Sequence, residues 1–242
     1  MFIRITQGAP QYVLPRIRED GSIRIGVTVD TPPLGNLDGD TIVGLEADLA
    51  RLLGAKFVPE QAVVLVPVTN RTRAAKLDNG DVDFLVSMVA NVSANQDRYS
   101  LTGAYFEDPI TFRTNFTLTQ VGGLSQKHIG VFQGSLAKTM LQNAIGKMDE
   151  ENKPILVDYT SFPELSADLQ SGALDGACGE ATILNLLDAP NMQLQSYQVG
   201  TLRYAVASRD REVDLAKALK NHIASFWEDG TFTQLYQKYG IE

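Results

Sequence analysis

The reactive side chains of this sequence are few and lie far apart along the chain. The single cysteine, Cys178, sits in the apolar run "LDGACG", which favours a small buried residue. The two histidines, His128 and His222, share no motif, whereas zinc and iron–sulfur sites need clustered ligands. The chain contains no Gly-x-Ser-x-Gly sequence, Walker loop or Gly-x-Gly-x-x-Gly sequence. We therefore expect no metal, no cofactor and no catalytic residue, and this favours binding over catalysis.

Composition narrows the class of partner. The 242 residues, 44% of them hydrophobic, are enough for a real core and suggest two modest domains. Twenty-one Lys and Arg residues against 29 Asp and Glu residues give a formal net charge of -8. Nucleic acids and anionic membranes both require a basic surface, so neither is an expected partner. No apolar run reaches about 18 residues, so no membrane-spanning helix is predicted.

Short β-branched runs alternate with amphipathic stretches, which predicts an α/β fold. "SIRIGVTV" (22–29) and "AVVLVPV" (62–68) are predicted buried strands. Between them, "VGLEADLARLLG" has the spacing of an amphipathic helix. Its predicted buried face consists of Leu45, Leu49, Leu52 and Leu53, and Gly54 is its predicted C-cap.

The second half repeats this pattern. "HIGVF" is a predicted strand, and "SFPELSADLQSG" is a predicted helix with a capping box at Ser161 and Glu164 and with Pro163 in its first turn. "NGDVDFLVS" and "SGALDGACG" share small-polar, Gly, any residue, aliphatic and Asp before an apolar strand, with glycines at Gly80 and Gly172. Two such copies, each after a helix, predict two similarly built lobes.

The order of these segments resembles that of the family 3 extracellular solute-binding proteins, which deliver polar amino acids to ABC importers. The resemblance covers nearly the whole chain and is carried by "GSIRIGV", "DTPPLGNLDGDTIVGLEADLARLLG", "NRTRAAKLDNGDVDFLVS", "GAYFEDP", "HIGVFQGSLA", "SFPELSADLQSGALDGACGE" and "FWEDGTFTQLYQKYG". "NRTRAAKLDNG" is most similar to the glutamate/aspartate-binding branch.

The resemblance implies a periplasmic-binding-protein type II fold, in which two α/β lobes are joined by two crossing strands and close on a ligand between them. The crossings are expected near "EDPITFR" and "RYAVAS". Lobe one is then 1–112 plus 205–242, and lobe two is 113–204. Strand ends and helix N-termini at such a site suit small polar ligands.

In lobe one, the resemblance implies that Arg73 contacts a side-chain carboxylate of the ligand. Neighbouring Arg71 leaves the register open, and Arg73 as an ordinary surface arginine is the alternative.

The family's Thr-x-Thr-Pro-Glu-Arg segment, whose arginine grips the α-carboxylate, falls on residues 90–95. Its threonines fall on Ala90 and Val92, which flank Asn91, and its arginine falls on Asn95. A planar guanidinium is therefore missing where a bidentate carboxylate contact is expected. Arg98 would share a helical face with Asn95 if a helix starts here, and could then take over the carboxylate.

In lobe two, "QGSLA" matches the family's anion-binding turn, with the Ser135 hydroxyl and the following amides facing the ligand. Leu136 replaces the second hydroxyl residue of that turn. The family's ammonium-binding aspartate falls on Glu180, which keeps the carboxylate, and a solvent-exposed strand-end glutamate is the alternative. Asp30 and Leu34 occupy the loop where the family often has an aromatic lid.

These departures predict an altered ligand, because a buried carboxylate without its cation is strongly destabilised. We expect a small zwitterionic or cationic amino-acid-like ligand, or next a dicarboxylic amino acid held through Arg73. Two other functions remain open. One is a sensory domain of a receptor or kinase, and the other is a dehydratase-like enzyme with Glu180 as its acid.

The expected partners are the ligand and an ABC permease, and the expected state is a monomer. The start "MFIRITQGAP" lacks the apolar core of a signal peptide, which fits either an intracellular protein or a mature form with an added Met. The resemblance implies a periplasmic or extracellular protein, either lipid-anchored or free.

Overall fold

The computed structural model describes residues 9–241, and this part of the chain divides into two compact units. Unit 1 contains residues 9–106 and 203–241, and unit 2 contains residues 107–202. The chain passes from one unit to the other inside two long strands, Tyr99–Thr114 and Gly200–Arg209. The sequence placed these divisions after residues 112 and 204.

Strands and helices alternate along the chain. The first stretch contains α1 (Leu14–Asp20), β1 (Ile23–Thr28), β2 (Asp30–Thr31), β3 (Gly35–Asp38), β4 (Thr41–Val43), α2 (Leu45–Gly54), β5 (Val63–Val68), α3 (Arg73–Asp78), β6 (Phe84–Ala90), α4 (Ser93–Gln96) and β7 (Tyr99–Thr114). Next come β8 (His128–Phe132), α5 (Leu136–Ile145), β9 (Ile155–Tyr159), α6 (Phe162–Ser171), β10 (Gly176–Glu180), α7 (Ala181–Leu184) and β11 (Gln193–Leu194). The last elements are β12 (Gly200–Arg209), α8 (Val213–Glu228) and α9 (Thr231–Tyr239).

The sheet of unit 1 has the strand order β5-β1-β6-β12-β7. β1 runs parallel to both β5 and β6, whereas β12 is antiparallel to β6. The carboxyl ends of β5, β1 and β6 therefore lie at one edge of this sheet, and Ala90 ends β6 there. A separate antiparallel sheet joins β2, β3 and β4.

The sheet of unit 2 has the order β7-β10-β8-β9, and β11 pairs with β7. β8 is parallel to both β9 and β10, and β10 is antiparallel to β7. The carboxyl ends of the three parallel strands thus share one edge, where Phe132, Tyr159 and Glu180 are the last residues.

Helix α2 departs from prediction in two details. Leu45, Leu49 and Leu53 are fully buried as predicted, but Leu52 is 40% exposed. The buried arc also includes Glu46, Ala47 and Ala50, so the helix is turned further than the leucines alone indicate and Leu52 lies at its margin. Gly54 is the last helical residue rather than the C-cap, and a Cβ there would lie 2.7 Å from side-chain carbons of Val63.

The repeated glycine turn is confirmed. Gly80 and Gly172 both have left-handed φ angles, +78° and +77°, and each lies between a helix and a strand. The capping serine of α6 is confirmed too, because the Ser161 Oγ accepts from the Glu164 N–H at 3.4 Å, with Pro163 in the first turn.

Among residues 9–241, no helix combines the length and apolar character needed to cross a membrane. The same residues contain no group of three or more His, Cys, Asp and Glu side chains that could hold a metal ion. Cys178 is a buried free thiol, and burial raises its pKa.

Candidate functional site

Hydrogen bonds from side chains of residues 91–96 stabilise the turn that follows β6. The Asn95 Nδ2 donates to the Ala90 carbonyl at 2.7 Å, and the Val92 N–H donates to the same carbonyl at 2.9 Å. The Asn91 N–H donates to the Arg203 carbonyl at 2.7 Å, and its Oδ1 accepts from the Gln96 Nε2 at 2.7 Å. Asn95 therefore stabilises the loop at the position where the family has a carboxylate-binding cation.

The structure directs the Arg98 side chain away from Asn95, although the Arg98 N–H donates to the Asn95 carbonyl at 3.2 Å. Helix α4 ends at Gln96, so the predicted helical face shared by the two residues is wrong. Arg98 forms an ion pair with Asp78, and its guanidinium lies 5.1 Å from the ring centroid of Tyr99.

Arg98 also lines a cavity at the opposite end of β6 from Ala90. The cavity is about 600 Å³ and is lined by Asp78, Asp97, Arg98, Tyr99, Arg209, Asp210 and Arg211. Ser208 pairs with Phe84, the first residue of β6, so the following residues 209–211 lie beyond the amino-terminal end of that strand. Because the turn at Ala90 lies at the other end, Arg98 is not a substitute for the missing arginine.

Arg73, in contrast, lies against the carboxyl end of β6. Its Nη1 donates to the carbonyls of Ser87 at 2.6 Å and Met88 at 2.9 Å. Burial lowers the pKa of Arg73, and within the described residues no carboxylate forms an ion pair with it. Arg71 is exposed and precedes α3. The guanidinium of Arg73 is therefore a cation in direct hydrogen-bond contact with the carboxyl-terminal half of β6.

A buried carboxyl lies on the other side of the same backbone. Glu46 is fully buried, and its Oε1 accepts from the Met88 N–H at 2.8 Å and from the Tyr105 hydroxyl. Its Oε2 has no hydrogen-bond partner. Burial raises the pKa of Glu46 to about 7, and burial together with the Glu46 charge raises the pKa of Tyr105.

Met88 adopts a left-handed backbone conformation, with φ of +45°. This region costs a residue with a Cβ roughly 1–2 kcal/mol. The conformation is held from both sides, because the Glu46 Oε1 and the Tyr105 hydroxyl oxygen both accept from the Met88 N–H, while the Arg73 Nη1 donates to the Met88 carbonyl. Strain of this kind persists only where the surroundings fix it, and it is often found at functional sites.

The two residues of the predicted lid loop, Asp30 and Leu34, differ in exposure to solvent. Asp30 is exposed in β2 and accepts from the Thr31 hydroxyl at 3.5 Å. Leu34 is fully buried, and its carbonyl accepts from the Glu46 N–H at 2.8 Å. The expectation that Leu34 occupies a ligand-facing lid is therefore wrong, because its apolar side chain is packed inside the protein.

In unit 2, the turn after β8 leads directly into α5. The Ser135 Oγ accepts from the Lys138 N–H at 3.1 Å, so Ser135 is the N-cap of this helix. Leu136, the first helical residue, is 37% exposed. These two residues lie next to the carboxyl end of β8.

Two carboxyl groups lie close together in unit 2. Glu180 ends β10 and is half-buried, while Asp108 in β7 is fully buried and accepts from the Thr182 N–H at 3.2 Å and from the Thr182 hydroxyl. Burial, reinforced by the negative charge of Asp108, raises the pKa of Glu180. Within the described residues no basic side chain forms an ion pair with Glu180.

An aromatic pair lies at the same strand edge. The ring centroids of Phe132 and Phe162 are 4.8 Å apart, and Phe162 is 40% exposed. Phe132 ends β8 and Phe162 begins α6 directly after β9, so both follow the parallel strands. Exposed Leu136 adds a third apolar side chain to this edge of unit 2.

Comparison with known proteins identifies the family. Residues 23–242 match the model for bacterial extracellular solute-binding proteins, family 3. This chain belongs to that family.

Two curated relatives of this solute-binding protein are ABC transporter components. The glutamine-binding protein GlnH of Bacillus subtilis (strain 168) is 24% identical over 234 residues, which cover 93% of this chain and 84% of the relative. The putative ABC transporter arginine-binding protein 2 of Escherichia coli (strain K12) is 23% identical over 233 residues, which cover 90% of each. Neither the family match nor these relatives specify the glutamate/aspartate branch.

A solved structure shows the fold. The ancestral amino acid-binding protein AncCDT-1, a precursor of cyclohexadienyl dehydratase, aligns with a TM-score of 0.75 and 19% identity, covering 95% of this chain and 99% of that chain. The predicted two-lobed periplasmic-binding-protein fold is confirmed, and the role is that of a solute-binding protein of an ABC transport system.

The sequence of this solute-binding protein did not reveal several residues of the two strand edges. Glu46 lies on the buried arc of an amphipathic helix, and an acidic residue on such an arc is a usable signal. Asp108 lies in the middle of the "FEDPITF" run of β7, where an acid is equally unusual. Phe132 and Phe162 each occur where a strand gives way to a helix.

Proposed function

We propose that this solute-binding protein captures a small amino-acid-like ligand that carries a cationic group, and delivers it to an ABC permease. The observation that carries this proposal is Glu180, a half-buried carboxyl at the end of β10 with which no basic side chain of residues 9–241 forms an ion pair. Glu180 is the proposed contact for an ammonium or guanidinium group, since a half-buried carboxyl next to a second acid is stabilised by a positive charge.

Arg73 is the proposed contact for the anionic part of the ligand. Both of its hydrogen bonds to β6 are made by Nη1, which leaves Nη2 and Nε for a carboxylate. Asn95 brings no charge to this strand end. The ligand therefore combines one anionic and at least one cationic group, as in a zwitterionic or net cationic amino acid.

The aromatic pair supports an apolar segment in the ligand next to its cationic group. Phe132, Phe162 and Leu136 offer partly exposed apolar surface near the strand end that carries Glu180. The methylene stem of an arginine- or lysine-like side chain is of this kind. A second carboxylate near Glu180 and Asp108 would be repelled, which makes a dicarboxylic amino acid the weaker candidate. The names of the glutamine- and arginine-binding relatives support an amino-acid ligand.

We further propose that the protein binds without chemical turnover, acts as a monomer, and works in the periplasm or at the outer cell surface, anchored or free. Its relatives are binding proteins, and Glu180 is the single acid we would nominate as a proton donor. Incubation with arogenate and prephenate should leave both unchanged. Light scattering after gel filtration should give a mass near 26.4 kDa.

A thermal-shift screen tests the ligand class. L-arginine, L-lysine, agmatine, L-glutamine and L-glutamate are added separately to the wild-type protein. A ligand at 100 times its dissociation constant stabilises the native state by about 2.7 kcal/mol. Arginine or lysine should give the largest rise in melting temperature.

Two variants complete the screen. Glu180→Gln should reduce that rise, while Glu151→Gln, an exposed acid elsewhere in unit 2, should leave it intact. The ligand class is wrong if L-glutamate stabilises as strongly as any cationic compound, or if Glu180→Gln changes nothing.

A further inference from the structure

Glu46 is a buried carboxyl that the proposed contacts with the ligand do not use. One carboxylate oxygen, Oε1, holds the Met88 amide and the Tyr105 hydroxyl, and the other has no partner. A fully buried carboxylate with one unpaired oxygen is costly when charged. Such an unpaired carboxylate is unusual in a protein interior. Glu46 is therefore a titratable group next to the part of β6 that Arg73 contacts.

Glu46 and Arg73 bind the same stretch of backbone from its two sides. Glu46 accepts from the Met88 N–H, and Arg73 donates to the carbonyls of Ser87 and Met88. The left-handed φ of Met88, +45°, brings its amide and carbonyl into these positions. The positive charge of Arg73 lowers the pKa of Glu46, and the negative charge of Glu46 in turn favours the charged form of Arg73.

Few other polar groups face Glu46. The Tyr105 hydroxyl from β7 donates to it, Thr28 from β1 lies near it with its hydroxyl bonded to Ser87, and Tyr204 from β12 interacts with both Tyr105 and Arg73. Both tyrosines are buried, and burial raises the pKa of Tyr105 well above its ordinary value, so Tyr105 stays neutral near neutral pH. Among these groups Arg73, from α3, carries the positive charge that favours ionised Glu46, and its effect on the Glu46 pKa is smaller than those of burial and of the hydrogen bonds from Tyr105 and Met88.

We propose that the charge on Arg73 controls the protonation of Glu46, so that an anionic ligand group pairing with Arg73 binds together with one proton. This inference rests on the proposed role of Arg73 in ligand binding. The proton comes from solvent and converts the Glu46 carboxylate to the neutral acid, which leaves Arg73 free to compensate the ligand's anion. Glu46 is then a positioning residue, because it acts through the Met88 backbone and Arg73 rather than by touching ligand.

The direction of the pH dependence follows from linkage. In the free protein, burial already raises the pKa of Glu46 to about 7. A ligand anion next to Arg73 adds negative charge and raises that pKa further, so binding takes up a proton near neutral pH. Affinity is therefore greatest below pH 7 and falls as pH rises, by at most about tenfold per pH unit for one proton.

The test follows the Glu46 carboxyl by carbon-13 NMR, with Glu46→Gln used to assign the signal. In the free wild-type protein its titration midpoint should lie near pH 7. Arg73→Gln should raise the midpoint measurably, because a neighbouring cation is lost. Arg73→Lys keeps the charge and should leave the midpoint near its wild-type value. L-arginine and L-glutamine are then added to the wild-type protein, and the probe that raises the melting temperature should also raise the midpoint.

The outcomes separate this inference from the proposed function. A midpoint in the ordinary carboxyl range, or one that Arg73→Gln does not move, overturns the inference. A probe that raises the melting temperature without moving the midpoint also overturns it, while leaving the binding function intact. If neither probe raises the melting temperature, the proposed function loses its support. The Glu46 midpoints of Arg73→Gln and Arg73→Lys then decide whether the Arg73 charge affects Glu46. If Arg73→Gln does not fold, the ligand titration of the wild-type protein is decisive.

Discussion

Asn95 is the residue that the resemblance aligns with the family's carboxylate-binding arginine. Its amide donates to the Ala90 carbonyl at 2.7 Å and so stabilises the turn without providing charge. The sequence was sufficient to predict that no cation stands at position 95, because that prediction depends only on the residue type. The side chain that faces the same strand end, Arg73, could be placed only with the contacts to Ser87 and Met88.

Restoring the arginine tests the role of this position. Asn95→Arg should strengthen the binding of amino acids with a free α-carboxylate by about tenfold or more, since a bidentate charged contact outweighs the loss of one neutral hydrogen bond. Isothermal titration calorimetry with glycine and L-glutamine measures the gain. Asn95→Ala is the control, because it removes the same hydrogen bond without adding charge. Equal affinities in the two variants would show that residue 95 does not face the ligand.

The strain at Met88 can be measured by comparing two substitutions. At φ of +45°, alanine keeps the clash of a Cβ and glycine does not. We expect Met88→Gly to be more stable than Met88→Ala by about 1 kcal/mol in urea unfolding, although glycine is ordinarily the more destabilising of the two. An alanine variant that is equally or more stable would mean that this backbone is unstrained.

Glu46 should make stability fall as pH rises. Its pKa of about 7 in the folded state lies above the ordinary value of 4.5, so both states are protonated below pH 4.5. Between pH 4.5 and 7 the unfolded carboxyl ionises while the folded one keeps its proton. This lowers the free energy of unfolding by on the order of 3 kcal/mol.

Urea unfolding of wild type and Glu46→Gln at pH 5 and pH 7 measures this contribution, since the other carboxyl groups are common to both proteins. The wild type should lose more stability than the variant over this range. Identical losses would show that Glu46 titrates normally.

At the scale of elements, the strands were predictable and the orientation of helices was less so. Apolar runs such as "HIGVF" became β8 with the predicted bounds. The orientation of helix α2 was predicted only in part. The leucine spacing did not indicate that Glu46 and Ala50 are buried, or that Leu52 lies at the margin of the buried face. Likewise α4 has only four residues, and although the Arg98 N–H donates to the Asn95 carbonyl at 3.2 Å, the Arg98 side chain forms an ion pair with Asp78.

The two capping serines offer a matched pair of variants. Ser135→Ala and Ser161→Ala each remove an N-cap hydrogen bond, of a ten-residue helix in both cases, and each should lower stability by about 1 kcal/mol. Only Ser135 lies in the turn that the family uses for an anion. We therefore expect Ser135→Ala to weaken amino-acid binding as well, measured by calorimetry, while Ser161→Ala leaves affinity unchanged. Unchanged affinity in both variants would restrict Ser135 to its capping role.

At the scale of the whole molecule, the sequence order predicted the family, and the match over residues 23–242 confirms it. The repeated turns at Gly80 and Gly172 carry the internal similarity of the two units. The sequence could not predict the charges near the strand ends. Glu46 is distant in sequence from Arg73, and Asp108 is distant from Glu180. These arrangements depend on tertiary packing, and under the proposed function they favour a cationic ligand over an acidic one.

The central claim is that this solute-binding protein prefers a ligand with a cationic group held by Glu180. Calorimetric titration of the wild-type protein and Glu180→Gln with L-arginine and L-glutamate tests it most directly. We predict tighter binding of L-arginine than of L-glutamate to the wild type, and a loss of about tenfold or more for L-arginine in Glu180→Gln. Tighter binding of L-glutamate, or an unchanged arginine affinity in the variant, would contradict it.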